Sequence, residues 1–124
     1  MGNPVVLVVE DEPLIRMETV QMVKDAGCAA LEASNTNDAM TILEERRDIL
    51  AVFAEIRVPG RLNGMELGHA IAKRWPLIRV IITTGFLRVD SFPADWRYIA
   101  KPYDGAQLGA ALRALVVPHL TVVH

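Results

Sequence analysis

The chain has 124 residues, of which 52% are hydrophobic and 23% are charged, and this size fits one globular domain that buries roughly two-thirds of its unfolded surface. Its 13 Lys and Arg residues and 15 Asp and Glu residues give a formal net charge of -2, without the basic stripe that nucleic-acid binding requires. These values exclude a disordered or repeat protein and argue against direct nucleic-acid binding.

The apolar runs are too short to cross a membrane. The first of them, residues 5–9, follows Met-Gly-Asn-Pro rather than a charged signal-peptide head, so we expect a cytoplasmic protein that makes no membrane contact. The lone Cys28 cannot form an internal disulfide, and its apolar context predicts a small core residue.

Five short apolar runs alternate with stretches suited to helices or connections. They are VVLVV (5–9), CAALEA (28–33), LAVFAEI (50–56), RVIIT (79–83) and RYIA (97–100). Regular alternation of this kind predicts an α/β fold, in which right-handed crossovers build a parallel sheet covered by helices on both faces.

The first two helices are predicted from their end signals. The first follows Pro13 and stops at Gly27, a natural C-terminal cap. The second begins at Asn35 or Thr36, either of which can cap it. Their predicted buried positions are Leu14, Met17, Val20, Met22 and Val23 on the first helix, and Ala39, Ile42 and Leu43 on the second.

The later helices are less uniform. The third is predicted to start after Asn63-Gly64 and to end at Trp75-Pro76. Residues 85–95 have little helical period and contain Pro93, so the fourth helix should be short or broken. The fifth should run from about residue 104 to 115, with one face formed by Leu108, Ala111, Leu112 and Leu115.

Polar residues follow four of the five strands. They are Glu10, Asp11 and Glu12 after the first strand, Glu55 at the end of the third, Thr83, Thr84 and Gly85 at the fourth, and Lys101 and Pro102 after the fifth. Because ligands of open α/β sheets bind at the carboxyl ends of the strands, we expect these groups to meet at one edge. Carboxylates there suit Mg²⁺, and a hydroxyl beside an ammonium suits a phosphoryl group.

Each of these residues also has a simpler interpretation when it is taken alone. Asp11 can cap the first helix, Glu12 can be solvated, and Thr84 can be a turn residue. Lys101 is one of 13 basic residues. Only their joint position at the strand ends favours a functional site.

The motifs together resemble the receiver domain of bacterial two-component response regulators. They are VLVVEDE, the strand-three acid followed by VPG, NGMEL, VIITTG and YIAKPYD, and they extend from about residue 5 to 115. The resemblance implies a flavodoxin-like (CheY-like) five-stranded parallel sheet in the order 2-1-3-4-5, flanked by five helices. It also implies a single receiver domain over residues 1–124, with a core of about 5–115 and an apolar C-terminal tail at 116–124.

The same resemblance assigns roles to residues at the predicted edge. It implies Mg²⁺ held by Glu10, Asp11, the acid at position 55 (Glu55) and the backbone carbonyl of Arg57. It also implies that Thr84 is the hydroxyl residue, that Lys101 is the invariant-type lysine of the family, and that Tyr98 is the aromatic switch residue. The Lys101-Pro102 bond is expected to be cis. In the family, a histidine kinase passes a phosphoryl group to an Asp on the third strand.

Glu55 departs from that pattern, because it stands where the family has the phosphoacceptor Asp. The extra methylene moves the carboxylate by ~1.5 Å, and a shift of about 1 Å can slow a positioned reaction on the order of 10²-fold. We therefore expect an atypical receiver that is not phosphorylated at Glu55. Glu55 either imitates the activated state or pairs with Lys101 and favours the inactive form, and we favour the pairing.

Mg²⁺ binding should accordingly be weak or absent, because Lys101 can neutralise the acids instead, with help from Arg57 if that side chain turns inward. The simpler interpretation of Arg57 is that its head stays in water. Tyr98 is either a switch residue or an amphipathic residue at the sheet edge.

The expected function is signalling through protein–protein interaction, with a sensor histidine kinase or another signalling protein as partner. A homodimer through the fourth helix, fifth strand and fifth helix is a further expectation, with the apolar tail adding to that surface. The chain is not expected to be an enzyme. The alternatives are a Mg²⁺-dependent phosphoryl-transfer enzyme or phosphatase, for which His69 is the only nearby His or Cys, and a flavin-binding flavodoxin.

Overall fold

The computed structural model of the chain describes residues 2–85 and 93–122, with residues 116–122 described by their backbone alone. Five strands form one parallel sheet in the order β2-β1-β3-β4-β5, which confirms the predicted topology. The strands are β1 (Val5–Val9), β2 (Ala29–Ala33), β3 (Ile49–Glu55), β4 (Arg79–Thr84) and β5 (Arg97–Ala100).

The described residues contain four helices where five were predicted. They are α1 (Pro13–Asp25), α2 (Thr36–Glu45), α3 (Gly64–Arg74) and α4 (Gly105–Val122). The predicted fourth helix falls largely on residues 86–92, which lie outside the described residues, and the described remainder of that segment contains a turn rather than a helix. Our α4 is therefore the helix that was predicted as the fifth.

Helix α4 also runs further than predicted. The residues interpreted as a separate apolar tail continue the helix to Val122. Val and Pro are weak helix formers, but no Gly or Asn that would cap a C-terminus occurs between residues 110 and 124. The low helix propensity of these residues was therefore not sufficient to end α4 near Leu115, because no C-terminal capping residue follows.

The sheet is covered on both faces, and β1 shows how the two halves of the core are built. Alternate residues of a strand point to opposite faces. Leu7 lies in the cluster that includes Leu43 of α2 and Leu67 of α3. Val8 lies in the cluster on the α1 and α4 side, which includes Leu108. All five residues of β1 are buried, as expected for a central parallel strand.

The predicted buried face of α1 was partly wrong. Leu14 and Met17 are 59% and 62% exposed, whereas Thr19, Val20 and Val23 are buried. Each residue of a helix is rotated by about 100° from the one before it, so Leu14 and Val23, nine positions apart, lie on opposite sides of α1. The apolar residues of α1 therefore cover more of its circumference than one packed face can bury.

The other helix ends follow the predicted signals. Asn35 caps α2 by accepting a hydrogen bond from the Asp38 N–H. Asn63 and Glu66 form a reciprocal capping box at the start of α3. Gly27, just after α1, has a φ of 89°, the left-handed conformation predicted for a C-terminal cap.

Two smaller predictions were also tested. Cys28 is buried, as predicted, and burial raises the pKa of its thiol, which favours the neutral form. Within residues 2–85 and 93–122, no helix is long and apolar enough to cross a membrane.

Candidate functional site

The carboxyl ends of four neighbouring strands meet at one edge of the sheet, as predicted. Glu55, the last residue of β3, pairs in register with Thr83 of β4, and Thr84 pairs with Ala100 of β5. The chain continues from that point into Lys101, whose backbone N–H donates to the Thr84 carbonyl at 3.1 Å. Parallel strand order therefore brings an acid, a hydroxyl and an ammonium into one region.

Lys101 is the centre of this region. Its Nζ lies 2.7 Å from Oε1 of Glu10 and 2.7 Å from Oε1 of Glu55, so one ammonium bridges the acids of β1 and β3. The side chains of Glu10 and Glu55 are 5% and 7% exposed, and that of Lys101 is 19% exposed. This is a nearly buried ionic triad rather than a surface salt bridge.

The second oxygen of each acid binds a backbone N–H. Oε2 of Glu10 accepts from the Glu12 N–H at 3.1 Å, and Oε2 of Glu55 accepts from the Arg57 N–H at 3.1 Å. Each carboxylate thus has one charged and one neutral donor. Bonds from the charged donor are shorter and stronger than those between neutral groups.

The electrostatic effect is visible at the lysine. Burial is the largest single influence and lowers the pKa of Lys101, but the hydrogen bonds and charges of Glu10 and Glu55 together outweigh it. The pKa of Lys101 is therefore raised above its ordinary value. The ammonium stays protonated between the two acids throughout the physiological range.

The remaining acids of the first strand end have separate positions. Asp11 is exposed. Glu12 caps α1 by accepting from the Leu14 N–H at 3.4 Å and the Ile15 N–H at 3.1 Å. The alternative in which Asp11 caps α1 and Glu12 is merely solvated is therefore wrong, because Glu12 provides the cap.

A divalent ion would need oxygen ligands that are free to converge on one point. The inner oxygens of Glu10 and Glu55 both contact Nζ of Lys101 instead. Across the described ranges 2–85 and 93–122, no three His, Cys, Asp or Glu side chains are grouped in a way that could hold a metal ion. Both inner oxygens therefore contact the ammonium of Lys101, and the weak or absent binding of Mg²⁺ stays a prediction.

Thr84 lies beside the triad, as predicted, and is only 1% exposed. Its hydroxyl has no hydrogen-bond partner among the described residues. A buried hydroxyl without a partner is uncommon, because desolvation without compensation is unfavourable. The hydroxyl of Thr83 is likewise buried and has no partner among the described residues, so the triad uses neither threonine.

Tyr98 is 40% exposed on the edge strand β5, and its hydroxyl donates to the Thr84 backbone carbonyl at 3.3 Å. The contact between the two predicted switch residues, Thr84 and Tyr98, therefore joins the Tyr98 hydroxyl to the Thr84 backbone and does not involve the Thr84 hydroxyl. This contact fits either interpretation of Tyr98, as a switch residue or as an amphipathic edge residue.

Arg57 contributes its backbone N–H to Glu55, and its residue is exposed. The role predicted from the resemblance, a carbonyl ligand for Mg²⁺, stays a prediction. The bond between Lys101 and Pro102 is cis, which confirms that expectation.

Sequence patterns did not single out three residues that make long-range contacts near this edge. Arg16 of α1 donates to the Glu10 backbone carbonyl at 3.0 Å and pairs with Glu32 of β2 at 3.1 Å. Tyr103, two residues after Lys101, shares a 2.6 Å hydrogen bond with Thr19 of α1. Neither pair is close in sequence, and no local spacing signals such contacts.

His69, the residue considered for an enzyme, is on α3 and packs against Trp96, with ring centroids 4.9 Å apart and ring planes inclined by 47°. It therefore has a packing partner of its own.

Comparisons with known proteins agree with the observed order of strands. A family model described as the response regulator receiver domain matches residues 6–113. The chain is 32% identical over 114 residues to a putative response regulator NtrX-like of Rickettsia bellii, across 87% of this chain and 24% of that protein. It is 28% identical over 121 residues to the sensor kinase CckA of Brucella abortus, across 93% of this chain and 13% of that protein.

A solved response regulator receiver domain from Clostridium thermocellum has a TM-score of 0.86 at 25% identity, with 96% of this chain and 98% of that chain covered. These similarities support the receiver interpretation over a phosphatase or a flavodoxin. The chain spans only about a quarter of the NtrX-like relative, which is matched over 24% of its length. With the family model covering most of the sequence and the strand order of that fold observed, the chain belongs to the response regulator receiver domain family.

Proposed function

We propose that this receiver domain signals through protein binding without phosphorylation at Glu55, and that Lys101 takes the place of the metal ion. The observation that carries the proposal is the bridge from Lys101 Nζ to Glu55 and Glu10, 2.7 Å to each. Two carboxylates and one ammonium leave a net charge of about -1 at this point, which reduces the attraction for a divalent cation.

The resemblance assigns Glu55 to the phosphoacceptor position, and its length argues against acceptance there. A carboxylate displaced by ~1.5 Å relative to Asp is misaligned for in-line attack on a phosphodonor. Both oxygens of Glu55 are also engaged, one by Lys101 and one by the Arg57 N–H. A nucleophile held by two donors is less available for reaction.

Pairing with Lys101 also favours the inactive state over an imitation of the activated one. A phosphoryl group adds a charge of about -1.5 to -2 and three acceptor oxygens. Glu55 adds one charge, which the contact with Lys101 neutralises, and the Thr84 hydroxyl has no partner among the described residues. The negative charge and acceptor oxygens that would draw the Thr84 side chain inward are therefore missing in this state.

The proposed partner is a sensor histidine kinase or another bacterial signalling protein of the cytoplasm. Relatives include proteins named as response regulators and as a sensor kinase, which supports this class of partner. The surface proposed for contact includes the edge strand β5 and the outer side of α4. Tyr98, 40% exposed on β5, would be part of it, and a second copy of the chain is a possible occupant.

The decisive experiment compares the wild type with Glu55→Asp and Glu55→Gln. Each protein is incubated with a small phosphodonor and Mg²⁺ and is then weighed intact. The wild type and the Gln variant should gain no phosphoryl group, whereas the Asp variant should gain one, because Asp11, Thr84 and Lys101 are all present. Uptake by the wild type at a rate and extent similar to the Asp variant would refute the proposal.

A further inference from the structure

The loop that joins β3 to α3, residues 56–63, is fastened to the start of α2. The Thr36 N–H donates to the Pro59 carbonyl at 2.9 Å. The Thr36 hydroxyl donates to the Leu62 carbonyl at 2.8 Å and accepts from the Leu62 N–H at 3.2 Å. Thr36 is 1% exposed, so one buried side chain satisfies both polar groups of a loop residue.

Neighbouring residues strengthen this contact, which we call the Thr36 clasp. The Asn37 side chain accepts from the Arg61 N–H at 2.9 Å. Gly60 has a φ of 131°, and a Cβ at that position would collide with the Thr36 hydroxyl and backbone N. Only glycine allows the loop to approach α2 this closely.

The ends of the same loop are fixed at Glu55. The Arg57 N–H donates to Oε2 of Glu55 at 3.1 Å. At the far end, the Gly64 N–H donates to the Ile56 carbonyl at 2.8 Å, and a Cβ on Gly64 would collide with the Glu55 carbonyl. The conformation of the loop therefore decides where the second donor to the Glu55 carboxylate lies.

We propose that Thr36 is a positioning residue for Glu55. Its hydroxyl fixes the loop against α2, the loop fixes the Arg57 N–H, and that N–H holds one oxygen of Glu55 so that the other faces Lys101. The inference rests on the proposed function in treating Glu55 as the acid of the signalling site. It gives a residue of α2, which does not contact the triad, control over the geometry of the triad.

The test is amide hydrogen exchange, measured by NMR on the full chain, in Thr36→Val, Thr36→Ser and Thr19→Val. Valine keeps the shape of threonine and removes the hydroxyl, whereas serine retains the hydroxyl. Thr19 is a matched control, because it is also 1% exposed and its hydroxyl is also bonded, but to Tyr103 rather than to the loop. Exchange rates are corrected for the global stability of each variant.

The Leu62 amide reports the clasp itself, and the Arg57 amide reports transmission to Glu55. In Thr36→Val we expect both to exchange about five- to tenfold faster, the effect of losing roughly one hydrogen bond. In Thr36→Ser the Arg57 amide should return toward the wild-type rate, and in Thr19→Val it should be unchanged. A faster Leu62 amide with an unchanged Arg57 amide in Thr36→Val would overturn the proposal.

Asn37→Ala keeps the test decisive if Thr36→Val does not fold. It removes the Arg61 bond from an exposed position, and it should accelerate the Arg57 amide in the same direction by a smaller factor. An unchanged exchange rate of the Arg57 amide in Asn37→Ala would count against the clasp. Failure of Glu55→Asp to take up a phosphoryl group would contradict the proposed function alone, since amide exchange is read in the protein with Glu55.

Discussion

Lys101 holds two acids at once, and this single contact determines how the site responds to cations. A buried pair that loses one partner leaves an uncompensated charge, which is strongly unfavourable. Here the loss of Lys101 would leave both Glu10 and Glu55 without their charged partner, at 5% and 7% side-chain exposure. The site would then have a strong requirement for a replacement cation.

We therefore predict that Lys101→Ala binds Mg²⁺ more tightly than the wild type and is less stable without it by about 3–5 kcal/mol. Calorimetric titration with MgCl₂ and urea unfolding, with and without Mg²⁺, measure the two effects. Lys73→Ala, a loss of charge at an exposed position of α3, is the matched control and should change neither. Equal Mg²⁺ affinity in the wild type and Lys101→Ala would contradict the prediction.

The raised pKa of Lys101 gives a second prediction at the residue scale. A lysine whose pKa is higher in the folded state stabilises the fold fully below its unfolded value, which is 10.5, and loses that contribution as the pH rises through the folded value. The wild type should therefore exceed Lys101→Met in unfolding free energy by a constant amount between about pH 8 and 9.5, and the difference should narrow above about pH 10.5.

Urea unfolding over that pH range tests this prediction. Burial, the largest influence, raises the pKa of Tyr103, and the charge of Lys101 lowers it, so the alkaline contribution of Tyr103 differs between the wild type and Lys101→Met. Adding Tyr103→Phe to both proteins removes that contribution from the difference. Lys101→Arg keeps its positive charge at these pH values, so its unfolding free energy should remain higher than that of Lys101→Met. A difference that stays constant to pH 11 would show that Lys101 does not stabilise the fold through its charge.

The residues of the triad could be predicted from the sequence, whereas the tertiary contacts around them could not. Glu10, Glu55 and Lys101 each directly follow or end an apolar strand, and parallel strand order alone brings such positions together. The Thr36 clasp and the pair of Thr19 and Tyr103 depend on how helices and loops pack on the sheet. No periodicity in the sequence encodes those distances.

At the scale of elements, strands were more predictable than helix faces. Each strand is a short apolar run between polar residues, so its limits are marked on both sides. Helix α1 has apolar residues around most of its circumference, and the sequence alone did not decide which would be buried. Packing against β2 and α4 decided it, in favour of Val20 and Val23 over Leu14 and Met17.

The exposure of Met17 gives a prediction about stability. Met17→Ala should change the unfolding free energy by no more than about 0.5 kcal/mol, the usual range for surface substitutions. Leu112→Ala on α4, at 1% exposure, should destabilise by about 2–5 kcal/mol because it removes buried methyl groups and leaves a cavity. Urea unfolding measures both, and similar losses for the two variants would mean that the exposed side of α1 is covered in solution.

At the scale of the whole molecule, the core residues of α4 whose side chains the structure describes all lie in the first part of the helix. Leu108, Ala111 and Leu112 pack in the cluster on the α1 side of the sheet, with Leu115 partly buried against it. The helix nevertheless continues to Val122, for 18 residues or about 27 Å in all. Its last turns have an apolar sequence, LVVPHLTV, and such a sequence favours contact with another apolar surface.

We predict that removing residues 116–124 leaves the fold intact and abolishes self-association. Leu108, Ala111 and Leu112, the core residues of α4 among the described side chains, precede the truncation, so we expect the unfolding free energy to fall by no more than about 1 kcal/mol, consistent with fraying of a helix end. Sedimentation velocity over a range of concentrations should show a dimer for the full chain and a monomer for the truncated one. Leu112→Ala, which weakens the fold without shortening α4, should still dimerise and so separates lost stability from lost contact. If the full chain sediments as a monomer at every concentration, a homodimer through this end of α4 is refuted.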